Sequence, residues 1–138
     1  MRKINKEILF TLQKVAAANP YDNAKVAAAV VRNNKIIAIG INSKKSHPLA
    51  ARFGKNEQAI FLHAEVAAIK NALREVDNVE DLEKMEMYIC RVKKPRPFSK
   101  KWVWGIAKPC DGCQRAIAEF GLRRVVYTTD VTGTYEVM

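Results

Sequence analysis

The stretch Phe61–Lys70, FLHAEVAAIK, decides the fold, because it sets a histidine and a glutamate two residues apart in an otherwise apolar, helix-like run. Ionisable side chains buried in such a run cost several kcal/mol unless another group pairs with them. His63 and Glu65 therefore require a partner elsewhere in the chain.

The segment Pro109–Cys113, PCDGC, supplies that partner. Its two cysteines, three residues apart at the start of a predicted helix, project to the same side, and the positive end of the helix dipole stabilises their thiolates. A catalytic zinc site takes about three protein ligands and leaves one position open, and neutral imidazole and thiolates are suitable donors. The sequence therefore predicts that His63, Cys110 and Cys113 bind Zn²⁺.

Glu65 lies two residues after His63 but is not needed as a zinc ligand, which indicates a catalytic role. Zinc lowers the pKa of a bound water to about 7, and a nearby carboxylate can take the proton and pass it to a substrate nitrogen. A structural site would need a fourth protein ligand, and the remaining candidates are poorly placed, since Cys90 lies in mid-strand and His47 in a polar loop. We therefore expect a catalytic zinc site, with Cys90 as a small core residue.

Length and composition predict one compact domain spanning residues 1–138. With 138 residues, of which 49% are hydrophobic, the chain can bury a single core without disulfides. Three cysteines, an odd number, and the charged start MRKINKEILF predict a reduced, cytoplasmic protein. No window approaches the roughly 18 consecutive apolar residues of a membrane span, so we expect no membrane partner.

The formal charge of +10 predicts a partner that carries phosphate. The charge is unevenly distributed, because Arg91–Lys101 holds bases and no acid, whereas acids cluster between Glu75 and Glu86. A small nucleotide and a nucleic acid both fit this surface, and charge alone leaves the two open.

Hydrophobic periodicity divides the chain into helices and strands. Apolar residues three and four apart predict an amphipathic helix from Ile4 to Val15, and two β-rich runs around Asn33-Asn34 predict a hairpin. A polar connection follows at Ser43–Glu57. The later elements are a helix from about His63 to Val76, a strand near Met85–Val92, a short helix closed by Gly121, the strand RRVVYTT and a last strand in TGTYEVM. This order predicts an α/β fold, a three-layer α/β/α sandwich with a central mixed sheet of about five strands.

The combination of H-x-E with P-C-x-x-C, in the stretches HAEVAAI and KPCDGCQRAI, resembles the zinc-dependent cytidine deaminase superfamily. The resemblance runs from about Val26 to Thr129, in the element order of deoxycytidylate and transfer-RNA adenosine deaminases. It implies a cytidine-deaminase-like fold and a homo-oligomer. The implied reaction is hydrolytic deamination of cytosine in a free nucleotide or nucleoside, with deoxycytidylate favoured. In that reaction zinc-activated water attacks C4, Glu65 transfers the protons and ammonia leaves.

Four residues are candidates for contacting the substrate. The resemblance implies that Asn42, at the end of the second hairpin strand, holds the sugar, and that the backbone of Ala64 meets the edge of the base. Stacking of a base on an aromatic ring contributes about 1–3 kcal/mol, and Trp104 is favoured because it lies nearer the cysteine motif than Trp102. The two tryptophans can instead straddle a strand with one packing inward. His47 either lines the mouth of the pocket, where it could bind a phosphate, or is a solvated loop histidine.

Two features depart from the family pattern and bear on the substrate. Ala67 stands where deoxycytidylate deaminases usually have an asparagine, and a basic, Trp-containing insertion from about Lys93 to Gly105 precedes P-C-x-x-C. The net charge and this insertion favour an alternative, a deaminase acting on a base in RNA or single-stranded DNA. A non-catalytic zinc-containing binding protein is the remote alternative, and Glu65 beside the predicted ligands argues against it.

Overall fold

The computed structural model describes residues 3–20, 25–43 and 63–138 of the chain. In chain order its elements are α1 (Lys6–Ala17), β1 (Lys25–Arg32), β2 (Lys35–Ile41), α2 (Ala64–Leu73), a 3₁₀ helix (Val79–Lys84), β3 (Glu86–Lys93), β4 (Val103–Gly105), α3 (Asp111–Phe120), β5 (Val125–Thr128) and β6 (Tyr135–Val137). The helices and strands predicted from periodicity are all present. No helix in the described ranges is long and apolar enough to cross a membrane.

A mixed sheet of six strands has the order β2-β1-β3-β5-β6, and β4 pairs with the end of β3. β1 is antiparallel to both β2 and β3. β3 and β5 are parallel, as expected for neighbouring strands that are joined through a helix. β6 then turns back antiparallel to β5. The predicted mixed sheet is therefore confirmed, with β4 as one strand more than expected.

Helices cover both faces of the sheet and complete the predicted three layers. On one face, Leu9 and Leu12 of α1 are fully buried in a cluster that includes Tyr88 of β3. On the other face, α2 and α3 pack with Met87 and Ile89. The alternation of side chains along β3 explains this division, because successive residues of a strand point to opposite faces. Both zinc motifs thus begin helices on the same side of the sheet.

The turn residues predicted from sequence adopt positive φ angles. Asn33 and Asn34 join β1 to β2 with φ values of 52° and 64°, which fits the two central positions of a type I′ turn. Gly121 ends α3 with a φ of 73°. Asparagine and glycine tolerate this region of backbone space at little steric cost, so both breaks occur where the sequence allows them.

The insertion Lys93–Gly105 folds back on the sheet. Its last three residues form β4, which pairs antiparallel with Arg91–Lys93 at the carboxyl end of β3. Between the two strands the chain is exposed from Lys94 to Phe98. The insertion therefore adds a short strand at the carboxyl end of β3. From this strand the chain continues to Pro109 and Cys110.

α2 lies directly on β2 because Gly40 has no side chain. A Cβ at Gly40 would come within 2.2 Å of the Ala68 nitrogen and 2.5 Å of the Ala64 oxygen, so the helix backbone touches the strand. The Asn71 side chain also donates from Nδ2 to the Ile39 carbonyl oxygen at 2.7 Å. These contacts set the height of α2 above the sheet, and with it the position of the first turn of the helix.

Replacing Gly40 with alanine is expected to lower the free energy of unfolding by roughly 1–3 kcal/mol, because the added methyl group overlaps helix backbone that cannot rotate away. Chemical denaturation of the variant would measure the loss. Gly105→Ala is the matched control, since its Cβ would meet the flexible side chains of Arg91, at 3.3 Å, and Lys93, at 3.5 Å. Equal stability of the two variants would contradict the tight contact between α2 and β2.

Candidate metal centre and active site

Two helix starts bring the predicted zinc ligands together. His63 precedes the first residue of α2 with φ −80° and ψ 154°, and Cys110 precedes α3 with φ −67° and ψ 169°. Both residues are in the extended conformation typical of an N-cap, yet neither side chain forms a capping bond with its own helix. Cys113 follows one turn into α3 and is buried. The imidazole and the two thiols therefore converge on the gap between the two helices.

The distances between these groups fit a tetrahedral zinc ion. The Nδ1 atom of His63 lies 3.6 Å from the Sγ of Cys110 and 3.3 Å from the Sγ of Cys113. All three ligand atoms lie within 4.8 Å of one another. With Zn–N and Zn–S bonds of about 2.0 and 2.3 Å, a tetrahedral angle requires a nitrogen-to-sulfur separation of about 3.5 Å. The donor set also suits zinc chemically, and among the described residues it has three ligands, which leaves one coordination position for water or substrate.

Hydrogen bonding between the two thiols shifts their pKa values in opposite directions. The pKa of Cys110 is lowered to about 3, chiefly by a hydrogen bond from Cys113 and also by one from His63. The pKa of Cys113 is raised, chiefly by its hydrogen bond to Cys110 and then by burial. Zinc binds thiolates, so loading the site releases the remaining proton from the pair.

Glu65 lies in the first turn of α2, only 7% exposed. Burial raises the pKa of its carboxyl group above the ordinary 4.5, while a hydrogen bond with its own backbone and the neighbouring His63 act in the opposite direction. The Cys113 thiol lies close enough to influence the pKa of the carboxyl group, which places Glu65 against the ligand set. A buried carboxylate beside three metal ligands is the arrangement needed for proton transfer at the open coordination position.

Ala64 is the first residue of α2 and is buried. Its carbonyl oxygen faces Gly40 of β2, as the close approach described above shows. The backbone N–H of Ala64 is one of the four at a helix start that lack an intrahelical acceptor. This N–H, and not the carbonyl, is therefore the group suited to meet the edge of a base.

Asn42 is anchored at the end of β2, and its predicted contact with the sugar stays a prediction. It follows β2 and is two residues beyond Gly40, about 7 Å along the strand from the contact with α2. Its side-chain oxygen accepts from the Val26 backbone nitrogen at 3.0 Å and from the Asn19 side-chain nitrogen at 2.7 Å. These bonds hold the Asn42 side chain against Val26 and Asn19.

The structure corrects the prediction that Trp104 stacks on a base. Its indole is 0% exposed and belongs to the cluster on the α1 face, opposite the face that carries α2 and α3. The Phe10 ring lies 4.9 Å away between centroids, and the indole Nε1 donates to the Gln13 side chain at 2.8 Å. Strand alternation turns Trp104 inward, as the alternative interpretation allowed, and nearness in sequence to Cys110 was misleading. Trp102 is partly buried against the same cluster.

His47 lies outside the described residues, so its predicted role at the mouth of the pocket stays a prediction. Within the described residues, Asn19 is a buried polar residue, bonded to Asn42, that the sequence interpretation missed. It follows the end of α1, just before Pro20. Its burial, at 3% exposed, is the signal that marks it, and that signal is visible only in the structure.

Comparison with known proteins agrees with the geometry. The family model described as the cytidine and deoxycytidylate deaminase zinc-binding region matches residues 2–129. The chain is similar to the crystal structure of cytidine deaminase from Burkholderia pseudomallei at 22% identity and a TM-score of 0.63, covering 98% of this chain and 92% of that chain.

A second similar structure is dCMP deaminase from the cyanophage S-TIM5 in apo form, at 23% identity and a TM-score of 0.58, covering 91% of this chain and 86% of that chain. The same phage enzyme in complex with dCMP and dUMP matches at 22% identity with a TM-score of 0.56, covering 91% of this chain and 83% of that chain. No curated protein sequence matches the chain. Because these structures are less than 25% identical to the chain, they establish only that the fold is shared. Membership of the family follows from the family model, which matches residues 2–129.

Proposed function

Since the chain belongs to the cytidine and deoxycytidylate deaminase family, whose cofactor is zinc, we propose that it deaminates cytosine in a free nucleotide or nucleoside, with deoxycytidylate as the favoured substrate. The observation that carries the proposal is the placement of Glu65. This buried carboxylate lies against the Cys113 thiol, beside a His-Cys-Cys set spaced for zinc. A purely structural zinc site would not require the Glu65 carboxylate.

The mechanism assigns one task to each group of this chain. His63, Cys110 and Cys113 hold the zinc ion, which when bound acts as a Lewis acid that lowers the pKa of a water molecule. Glu65 takes a proton from the attacking water and delivers it to N3 of the ring. It then helps to protonate the amino group, so that the C4–N4 bond breaks, ammonia leaves and C4 becomes a carbonyl carbon. The backbone N–H of Ala64 orients the base, and Asn42 orients the sugar.

A screen of zinc-loaded protein for ammonia release tests the proposal directly. The panel contains free nucleosides, free nucleotides and single-stranded oligonucleotides, each with cytosine, adenine or guanine. Turnover of cytosine in the free nucleosides or nucleotides is the expected result, and turnover of deoxycytidylate above the others supports the finer assignment. Release from purine substrates alone would overturn the choice of base.

The exposed tip of the insertion favours a second candidate, deamination of a base in a polynucleotide. Phe98 is 96% exposed, and Arg96, Lys100 and Lys101 are exposed on either side of it. The insertion begins at the carboxyl end of β3 and ends in β4, which pairs with that end of the strand. Only four residues separate β4 from Cys110. Exposed aromatic and cationic side chains in one segment suit stacking on bases and contact with several phosphates.

Salt dependence is expected to separate the two candidates. A mononucleotide offers one phosphate, so kcat/KM should fall modestly with salt, whereas a polynucleotide releases several counterions and gives a steep slope of log rate against log salt. Replacing both Lys100 and Lys101 with glutamine should then flatten the oligonucleotide slope by about two and leave mononucleotide turnover unchanged. A steep slope together with a preference for oligonucleotides would transfer the assignment to the second candidate.

A further inference from the structure

The insertion between β3 and β4 carries a tryptophan on the face of the sheet opposite the metal centre. Trp102 is partly buried against the cluster on the α1 face, to which Trp104 and Val92 belong. Cys113, by contrast, lies in the cluster of the other face, together with the first residues of α2. The sheet therefore separates the Trp102 side chain from the predicted zinc ligands.

Two lysine ammonium groups lie close to the Trp102 ring. The Nζ atom of Lys25 is 5.4 Å from the ring centroid, and that of Lys94 is 5.1 Å from it. Both distances are within the roughly 6 Å over which an aromatic ring attracts a cation. The Lys25 ammonium group also donates to the Asn19 backbone oxygen, and in the described part of the chain neither ammonium group pairs with a carboxylate. Two positive charges thus meet at one indole without an acidic group to balance them.

The tip of the insertion displays a second aromatic ring on a closed turn. The backbone nitrogen of Ser99 donates to the Arg96 carbonyl oxygen at 3.0 Å, so residues 96–99 form a turn with Phe98 at its third position. Pro95 and Pro97 restrict this backbone further, because proline fixes φ. The Phe98 ring is almost completely exposed. It is therefore held in solvent before any partner binds, which reduces the entropy lost on binding.

The insertion combines the two kinds of group that bind single-stranded nucleic acid. Arg91–Lys101 contains bases and no acid, and so attracts phosphate groups. An aromatic ring stacks on the face of an unpaired base, whatever the base is. A base that stacks on Trp102 displaces an ammonium group from the ring, and that group is then free to contact a neighbouring phosphate. A lipid surface fits less well, because the partly buried Trp102 ring cannot enter a bilayer.

We propose that Lys94–Trp102, together with Lys25, forms a binding surface for single-stranded nucleic acid that is separate from the metal centre. The Trp102 and Phe98 rings stack on bases, and the cationic side chains around them contact phosphates. Because Trp102 lies on the face opposite α2 and α3, a strand bound here does not bring a base to Glu65. The surface therefore binds a strand without cytosine, whichever of the two candidate substrates the metal centre takes.

Fluorescence anisotropy of end-labelled oligothymidylate and oligouridylate, titrated with the zinc-loaded full chain, tests the proposal. Neither oligonucleotide contains cytosine, so neither is a substrate for deamination. Binding is expected, with a plot of log Kd against log salt that reports several released counterions. Binding of either oligonucleotide supports the proposal, and the tighter of the two identifies the partner as DNA or RNA. The absence of binding to both at low salt would overturn it.

Three single substitutions locate the strand on the protein. Phe98→Leu keeps an exposed apolar side chain and removes the ring, so it should raise Kd about tenfold, the effect of one lost stack. Lys94→Gln should reduce the salt slope by about one. Lys93→Gln is the matched control, since this neighbouring lysine has the same charge but pairs with Asp130 at 2.9 Å, and its slope should equal that of wild type. Equal affinity of wild type and Phe98→Leu would overturn the assigned surface.

Turnover of deoxycytidylate shows whether the surface is separate from the pocket. Saturating oligothymidylate should leave both kcat and KM unchanged, whereas competitive inhibition would place the strand in the pocket and overturn the separate surface. Binding to anionic lipid vesicles in place of both oligonucleotides would assign the insertion to a membrane and overturn the nucleic-acid partner. If the protein binds the oligonucleotides as expected but deaminates no cytosine compound, only the proposed function falls.

Discussion

Replacing Glu65 with alanine is expected to lower kcat by about 10⁴-fold or more, with zinc content, fold and substrate binding retained. A general acid or base contributes roughly 10²- to 10⁴-fold, and Glu65 serves both the water and the ring nitrogen, so the loss should lie at or above the upper end. KM should change little, because the carboxylate acts mainly in the transition state. Steady-state kinetics and metal analysis on the same preparation would measure both effects.

Glu86 provides the matched control, since it is a second buried glutamate. It begins β3, at the end of the strand away from the site, and forms an ion pair with the buried Arg124. Glu86→Gln leaves the Arg124 charge without its partner, so this variant should lose stability and keep kcat. Near-normal turnover of Glu65→Ala on a confirmed substrate would remove the deaminase mechanism, and the carboxylate would then have to be a structural partner of the α2 helix start.

The zinc centre was predictable because two short sequence motifs contain its ligands and also determine the helices that carry them. His63 and Glu65 are two residues apart at one helix start, and Cys110 and Cys113 span one turn of another. Periodicity placed both helices, and the donor types restricted the metal. The mixed character of the sheet followed from the same elements, because hairpins give antiparallel neighbours and helical crossovers give parallel strands.

The surroundings of the centre depend on long-range contacts that no local pattern encodes. Trp104 was assigned to the pocket from its distance in sequence to the cysteines, whereas the register of β4 against β3 turns it toward Phe10 on the other face. Asn19 was overlooked for the converse reason. It is 23 residues from Asn42, and the two meet only after α1 and β2 are both packed on the sheet.

Removing one zinc ligand is the second change with a large expected effect. Cys113→Ala should lose the bound zinc, reduce deamination to background and lower the free energy of unfolding by several kcal/mol. A ligand that binds only the native state at about 1,000 times its Kd stabilises the fold by about 4 kcal/mol. Cys113 is also buried between α2 and α3, so its loss leaves a small cavity where the two helices meet.

The comparison with Cys90→Ala isolates the contribution of the metal from that of a buried thiol. Cys90 is buried in the cluster on the α1 face and is not in the ligand set. Cys90→Ala should therefore keep about one zinc per chain and lose only about 1 kcal/mol from the missing sulfur. A chelator should lower the melting temperature of wild type and of Cys90→Ala by similar amounts, and leave that of Cys113→Ala unchanged. If the chelator strips zinc from wild type without lowering its melting temperature, the ion does not help to hold α2 against α3, and convergence of His63, Cys110 and Cys113 must arise from packing alone.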